Sequence, residues 1–217
     1  MTEGPSSISH LRALPPVGDV SEAVEERVEH VFSHVLSTRC RTEVTAVQGP
    51  TPQRLAPYAL TMLASVPDPQ DPEEDIANGR FVLLHDPAGP PSWNGTWRIV
   101  TFLSASMDSA TAHDPLLPEV AQTWLHEGAA VAGVDISELS GTVTVNQSYP
   151  FGALAGRAAN AEVEIRCSWT PRLGDDEAPD ARAHLRAWLH VMATASGLAP
   201  EIDGVPRLPH RGGTCIE

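Results

Sequence analysis

The chain has 217 residues, of which 41% are hydrophobic and 19% charged, a composition that supports one sizeable globular core. Its basic residues are all arginine, 14 against 28 acids, and the formal net charge is −14. This balance argues against nucleic acids and anionic membranes as partners, because both require clustered cations. The absence of lysine also excludes Schiff-base and P-loop lysine chemistry.

The cysteines predict no covalent framework. Cys40, Cys167 and Cys215 are far apart and show no CxxC spacing, so we expect neither disulfides nor a zinc site. The N-terminus lacks an apolar run of signal-peptide length, and no segment approaches the ~20 apolar residues of a membrane span. We therefore expect a cytoplasmic protein that needs no cofactor.

The pattern along the chain predicts one domain with irregular ends. Residues 1–18 are rich in Ser, Pro and Gly and predict a disordered arm, and residues 199–217 predict an irregular Pro/Gly-rich tail. The α+β domain itself is expected over residues 19–198. Its first helix begins after Asp19, and apolar residues recur at helical spacing as far as Val35.

Strands dominate the next part of the chain. A β-rich run at residues 42–47 and a strand at 58–66 are followed by a Pro- and Asp-rich surface loop over 67–79. Two further strands within residues 79–107 face each other across a Pro/Gly-rich loop. Apolar residues occupy both faces of this pair, which predicts a position at the centre of a sheet with cover on both sides.

A second helix follows a loop at residues 108–116. It lies between Pro118, which is tolerated at a first helical position, and Gly133, a residue typical of the position after a helix. Its predicted apolar stripe comprises Leu117, Val120, Ala121, Trp124, Leu125 and Val131.

The remaining elements are strands at residues 140–148 and 162–170 and a helix from Pro179 to Gly197. This element order requires no parallel βαβ unit. We therefore predict an α+β fold with a largely antiparallel sheet and three packed helices. The order also matches the small secretion-chaperone-like fold, an analogy at the level of element order alone.

Six short blocks stand out along the chain: PQRLAPY (52–58), GRFVLLHDP (79–87), WNGTWRIVT (93–101), DPLLPEVAQTWL (114–125), SGTVT (140–144) and EIRCSWTP (164–171). Taken in this order, they resemble an uncharacterised actinobacterial family of unknown function, the DUF three-thousand family. The resemblance runs from about residue 40 to about residue 212. It implies a soluble, cytoplasmic protein and brings no established activity, cofactor or catalytic residue to this chain.

Sequence motifs for catalysis are missing: there is no GxSxG, HExxH, P-loop or strand-linked GxGxxG. His85 and Asp86 end a central strand, and a strand-end histidine with a carboxylate in reach could act as a general base. The same dipeptide is equally consistent with a structural role, in which Asp86 starts a turn before Pro87 and His85 is a hydrogen-bonded residue in the wall of the domain. A small hydrolase or isomerase with a site near these residues is therefore our alternative function.

Two histidines on the first helix form the candidate metal site. His30 and His34 are four residues apart, a spacing that lets two imidazoles share one metal ion. Both lie toward the acidic face, and the sequence signals no third ligand. We predict a solvated face and keep a metal site as the weaker alternative.

The last two strands carry the candidate binding surface. If they pair as a hairpin, hydroxyls, carboxylates and one guanidinium project together from one face. The side chains concerned are Thr142, Thr144, Asn146, Glu162, Glu164, Arg166 and Ser168. A solvated sheet face and a surface that binds a partner or ligand are both consistent with this pattern.

The loop between these strands, residues 149–157, contains Tyr149, Phe151 and Leu154. Apolar side chains in a connecting loop indicate either a flap folded onto the core or an interaction patch. Together with the polar sheet face, they predict a non-catalytic protein- or ligand-binding domain of adaptor or chaperone type. We expect it to hold a protein partner or a second copy of itself.

Overall fold

The computed structural model describes residues 22–52, 54–71, 73–156 and 159–200. The predicted arm at 1–18, the predicted cap Asp19, Cys215 and the tail from residue 201 onward lie outside these residues. Within them, the chain forms six strands and four α-helices. This confirms the predicted α+β fold with an antiparallel sheet.

The helices are α1 (Glu22–Leu36), α2 (Ser109–Ala112), α3 (Leu117–Ala132) and α4 (Ala181–Ala195). The strands are β1 (Thr45–Gln48), β2 (Tyr58–Pro67), β3 (Asp75–His85), β4 (Trp97–Met107), β5 (Ile136–Ser148) and β6 (Asn160–Pro171). The strand order is β1-β2-β3-β4-β6-β5, and every neighbouring pair is antiparallel. The β-rich run predicted at 42–47 thus forms one edge of the main sheet.

The core lies between one face of this sheet and the helices α1, α3 and α4. Helix α4 packs against β3 and β4 at the centre of the sheet, and α1 and α3 pack beside it. Phe81 of β3 lies with its ring 6.0 Å from that of Trp188, and both side chains are fully buried. Each side chain of this size contributes about 1.5–3 kcal/mol when fully buried.

The predicted central position of β3 and β4 is confirmed, but the expected cover on both faces is wrong in part. The three long helices occupy one face. On the opposite face, which we call the open face, Pro50, Pro52 and Leu55 of the β1–β2 connection lie near Thr61 and Val82. Val100 and Phe102 remain half-exposed there. A loop supplies only partial cover.

Two predicted loops are shorter than expected. Strand β3 begins at Asp75 within the loop predicted at 67–79, because Ala77 is buried and pairs with both Val66 and Ala105. The loop predicted at 108–116 contains α2. Its first turn is capped by Asp108, whose carboxylate accepts the backbone N–H of Thr111 at 2.9 Å.

The predicted buried stripe of α3 is also partly wrong. Leu117 and Ala121 are buried as expected, but Val120 and Val131 are 42% and 70% exposed. Helix α3 instead approaches α4 through Gly128, where an added Cβ would lie 2.6 Å from the Ala187 carbonyl oxygen. Small residues allow this close contact and turn the larger ones outward. The predicted end of the helix is confirmed, since Gly133 adopts φ 70°.

The contact between α4 and the sheet yields a stability prediction. A Cβ added at Gly79 would lie 2.5 Å from the Phe102 carbonyl oxygen and 2.7 Å from Trp188. We expect Gly79→Ala to lower the free energy of unfolding by about 1–3 kcal/mol, the usual cost of overpacking a core. Urea denaturation followed by circular dichroism measures this loss.

The matched control is Gly156→Ala, because a Cβ at Gly156 meets no atom within 4 Å. We expect this variant to unfold at the wild-type urea concentration. Equal stability of the two variants would contradict the close approach of α4 to β3.

Candidate functional site

A groove of about 810 Å³ crosses the open face of the sheet. The strand register aligns its floor in two adjacent rows, each running across several strands. The first row consists of Thr61, Val82, Val100, Ser168 and Ser140. The second consists of Arg80, Phe102, Arg166 and Thr142.

The groove changes character along its length. Pro50, Pro52 and Leu55 form a wall over the β2 end, and this wall is apolar. Val82 and Val100 continue the apolar floor through the middle. The opposite end, on the β5–β6 hairpin, has hydroxyl and guanidinium groups. A binding site with one apolar and one polar end is suited to an amphipathic ligand.

Arg98 lies buried beside the hairpin end of the groove, with 7% of its surface exposed. Its guanidinium donates to the hydroxyl oxygens of Ser168 at 2.7 Å, Thr170 at 2.9 Å and Ser140 at 3.4 Å. Burial lowers the pKa of Arg98, and Glu138 opposes this shift. Among the described residues, no carboxylate forms a salt bridge with this cation.

Two arginines line the groove itself. Arg166 pairs with Glu164 at 2.6 Å and lies 5.2 Å above the ring of Phe102. Arg80 pairs with Phe102 in the β3–β4 register, so Phe102 lies between Arg80 and Arg166. Arg80 is exposed and has no ion pair within the described chain. The described lining contains no aspartate or glutamate. The lining thus has two arginines, of which Arg166 is paired with Glu164 beside the groove, in a chain that carries twice as many acids as arginines.

The polar face predicted for the last two strands is formed as a hairpin. Thr142 lies opposite Arg166, Thr144 opposite Glu164, and Asn146 opposite Glu162. Arg166 and Thr142 line the groove, whereas Thr144 and Glu164 lie one row further toward the connecting loop. The register brings the predicted residues together, and their role in binding stays a prediction.

The connecting loop presents its apolar side chains to solvent. Tyr149, Phe151 and Leu154 are 61%, 86% and 49% exposed, so the loop is not folded back onto the core. Its base is held by hydrogen bonds: the Tyr149 hydroxyl donates to Gln147 Oε1 at 2.6 Å, and the Gln147 amide donates to the Ala112 carbonyl at 3.0 Å. The arrangement agrees with the interaction patch, whose function stays a prediction.

His85 lies on the helix-covered face and is buried, with 3% of its surface exposed. Its ring stacks on Trp97 at 4.2 Å, and Nδ1 lies 3.0 Å from the Thr96 carbonyl oxygen. Burial lowers the pKa of His85, the Thr96 hydrogen bond opposes this, and Arg27 lowers it further. Asp86 accepts the N–H of Ala88 at 2.9 Å, as a turn starter does. The rings of Tyr58 and Trp97 lie against His85, and the groove on the open face does not include it.

His30 and His34 lie on the exposed side of α1, and their rings are 4.2 Å apart. They line a second groove, of about 560 Å³, together with Asp180. Within the described residues, no group of three or more His, Cys, Asp or Glu side chains could hold a metal ion. The metal alternative stays a prediction.

Neither the groove nor the buried cation Arg98 beside it is predicted from the sequence. The alternation of β3 and β4 does indicate that Val82, Val100 and Arg98 share the second face of the central pair. However, only the register between strands aligns them with Ser140 and Ser168, which lie far away in the sequence. A pattern within one strand cannot supply that register.

The fold and these surfaces define an α+β domain with helices on one face of an antiparallel sheet and an arginine-lined groove on the other. A family model described as "Protein of unknown function (DUF3000)" matches residues 25–206, and the chain belongs to this family. This confirms the resemblance that the six sequence blocks indicated. No curated protein and no solved structure matches the chain. In the described part, no helix is both long and apolar enough to cross a membrane.

A buried histidine beside the second groove yields a prediction about pH. His184 is 1% exposed, and its Nδ1 accepts the indole N–H of Trp169 at 3.2 Å. Burial lowers its pKa from 6.5 to about 4, although Asp180 and Asp135 favour the charged ring. Between these two values the unfolded chain binds more protons than the native state, so the stability falls as the pH drops.

We expect acidification from about pH 7 to about pH 4.5 to cost the wild type roughly 2–3 kcal/mol more than it costs His184→Asn. Asparagine does not titrate, and its amide oxygen can still accept the Trp169 N–H. Urea denaturation at both pH values gives the comparison and cancels the contribution of the carboxylates. An identical loss in both proteins would show that His184 keeps an ordinary pKa in the native state.

Proposed function

We propose that this protein is a non-catalytic binding domain that docks a partner protein on the loop at residues 149–156 and the adjoining edge of β5. The observation that carries the proposal is the position of Phe151, which is 86% exposed on a loop with an anchored base. Large apolar side chains in such positions are typical of interaction sites.

The anchoring of the loop favours a binding role on energetic grounds. A flexible loop loses conformational entropy when a partner fixes it, whereas a loop held in place beforehand loses less. The hydrogen bonds from Tyr149 to Gln147 and from Gln147 to Ala112 fix the start of this loop. Burial of Phe151 at an interface would then contribute up to about 3 kcal/mol.

Strand β5 extends the same surface. It forms an edge of the sheet, and after the irregularity between Ser137 and Ser140, which contains Glu138, its residues 140–148 include no charged residue and no proline. Edge strands usually carry such residues to prevent pairing with other chains. Thr142, Val143, Thr144 and Val145 are all β-branched, so this edge is suited to receiving a strand from a partner.

The net charge favours a different protein over a second copy as the partner. Each copy carries a formal charge of −14, so two copies repel each other. A partner with a basic surface would instead be attracted, and charge complementarity raises the association rate.

The test is a pull-down from a lysate of the native host, followed by mass spectrometry. We expect the wild type to recover a partner near one to one, and Phe151→Ala/Leu154→Ala to lose it. Both side chains are exposed, so the double variant should keep its fold, which a thermal melt checks.

The matched control is Leu116→Ala/Val131→Ala, which removes two similarly exposed apolar side chains from the region of α3. It should recover the same partner as the wild type. The proposal would be contradicted if the wild type and both double variants recovered the same proteins. It would also be contradicted if none of the three recovered a protein. Sedimentation of the purified protein as a dimer that only the loop variant dissociates would replace the partner with a second copy.

A further inference from the structure

The groove on the open face has a chemistry that the proposed partner site does not use. It lies across the sheet, from β2 to β5, over about 19 Å if neighbouring strands are about 4.8 Å apart. Its volume of about 810 Å³ lies in the range of about 300–1,000 Å³ for small-molecule sites. The loop at residues 149–156 does not line it.

We propose that this groove binds an amphipathic carboxylate, an apolar chain that ends in one carboxylate group. The chain would lie on Val82 and Val100 beneath Leu55. The carboxylate would lie at the hairpin end, within reach of Arg166 and the hydroxyls of Ser140 and Ser168.

Apolar side chains in one half of the site are exposed to water, which is unfavourable, and a bound apolar chain would cover them. Val100 and Phe102 are half-exposed in the middle of the sheet, and Leu55 is 57% exposed. Transfer of apolar surface out of water gains about 25 cal/mol for each Å² covered.

The hydroxyls of the hairpin end are prepared to donate. Ser140 and Ser168 both accept hydrogen bonds from Arg98. The hydroxyl hydrogen of each serine is therefore directed away from Arg98 and can be donated to another acceptor. Their oxygen atoms are 3.4 Å apart, and only one of the two can donate to the other. At least one hydroxyl hydrogen therefore remains for an acceptor. Such a hydrogen bond is strengthened by the buried cation behind it.

The arginines in and beside the groove favour a ligand with a negatively charged head group. Arg80 and Arg166 line the groove, Arg98 lies buried beside its hairpin end, and the neighbouring carboxylate, Glu164, is paired with Arg166. An ammonium head group would meet two exposed cations and would have no carboxylate free for it in the described lining. A neutral head group would forgo the charge-assisted hydrogen bonds, which are roughly twice as strong as neutral ones.

Isothermal titration calorimetry with three probes of equal chain length tests the proposal: decanoate, 1-decanol and decyltrimethylammonium. We expect the wild type to bind one decanoate, 1-decanol at least about tenfold more weakly, and the cation not measurably. Arg166→Gln should weaken decanoate about tenfold and leave 1-decanol unchanged. Leu55→Asp should weaken both, because it places a charge at the apolar end.

Arg172→Gln is the control, since Arg172 is also an exposed arginine paired with a carboxylate, Asp135 at 3.0 Å, but it lies outside this groove. It should bind decanoate as the wild type does. Ser140→Ala removes one of the two proposed donor hydroxyls from an exposed groove residue, and this second variant should weaken decanoate selectively if Arg166→Gln fails to fold. Absence of decanoate binding, equal affinity for all three probes, or equal effects of Arg166→Gln and Arg172→Gln would overturn the proposal.

Discussion

The packing of α4 against the centre of the sheet is the contact on which the rest of the structure depends. Gly79 leaves the space that Trp188 fills, and Phe81 lies against the same indole ring. The helix is buried on nearly all sides, because α1 and α3 pack beside it and the sheet lies beneath it. With α4 in this position and α1 and α3 beside it, helices cover one face of the sheet.

The open face is a consequence of that arrangement. A sheet flanked by helices on one side leaves its other face to solvent, and such faces are normally polar. Here the two central strands place Val82, Val100 and Phe102 on that face, which is the pattern of a sheet covered on both sides. The chain supplies a loop with two prolines instead of a second helical layer. The result is a groove with an apolar floor and not a closed second core.

The elements and their order could be predicted from the sequence because each depends on local periodicity. The apolar spacing of α4 and the alternation of β6 define which residues face the core, and the structure agrees. The predicted ends of elements are less accurate: residues Asp75 to Asn78 form strand where the sequence predicts a loop, because pairing with β2 and β4 continues past the point where the alternation stops. Tertiary pairing overrides local propensity in such segments.

The candidate site also has one part that the sequence predicts and one part that it does not. The polar face of the β5–β6 hairpin could be predicted, because alternation and hairpin pairing are local. The groove could not, because Thr61, Val82, Val100, Ser168 and Ser140 become one row only through four separate registers. Arg98 illustrates the limit. In the sequence it is one arginine in a strand, and its burial among three hydroxyls results from residues 42 to 72 positions away.

The hairpin of β5 and β6 connects the two surfaces, and its outward side chains change chemistry along it. Near the groove they are hydroxyls and a guanidinium, one row further Thr144 and Glu164, and at the loop the aromatic and aliphatic groups of Tyr149, Phe151 and Leu154. Thr142 and Ser148 are six residues apart, which separates the groove from the loop by about 20 Å. A partner held by the loop alone would therefore leave the groove free. A partner strand paired along β5 would instead reach Thr142, which lines the groove, so the two ligands would lie side by side on the β5–β6 hairpin.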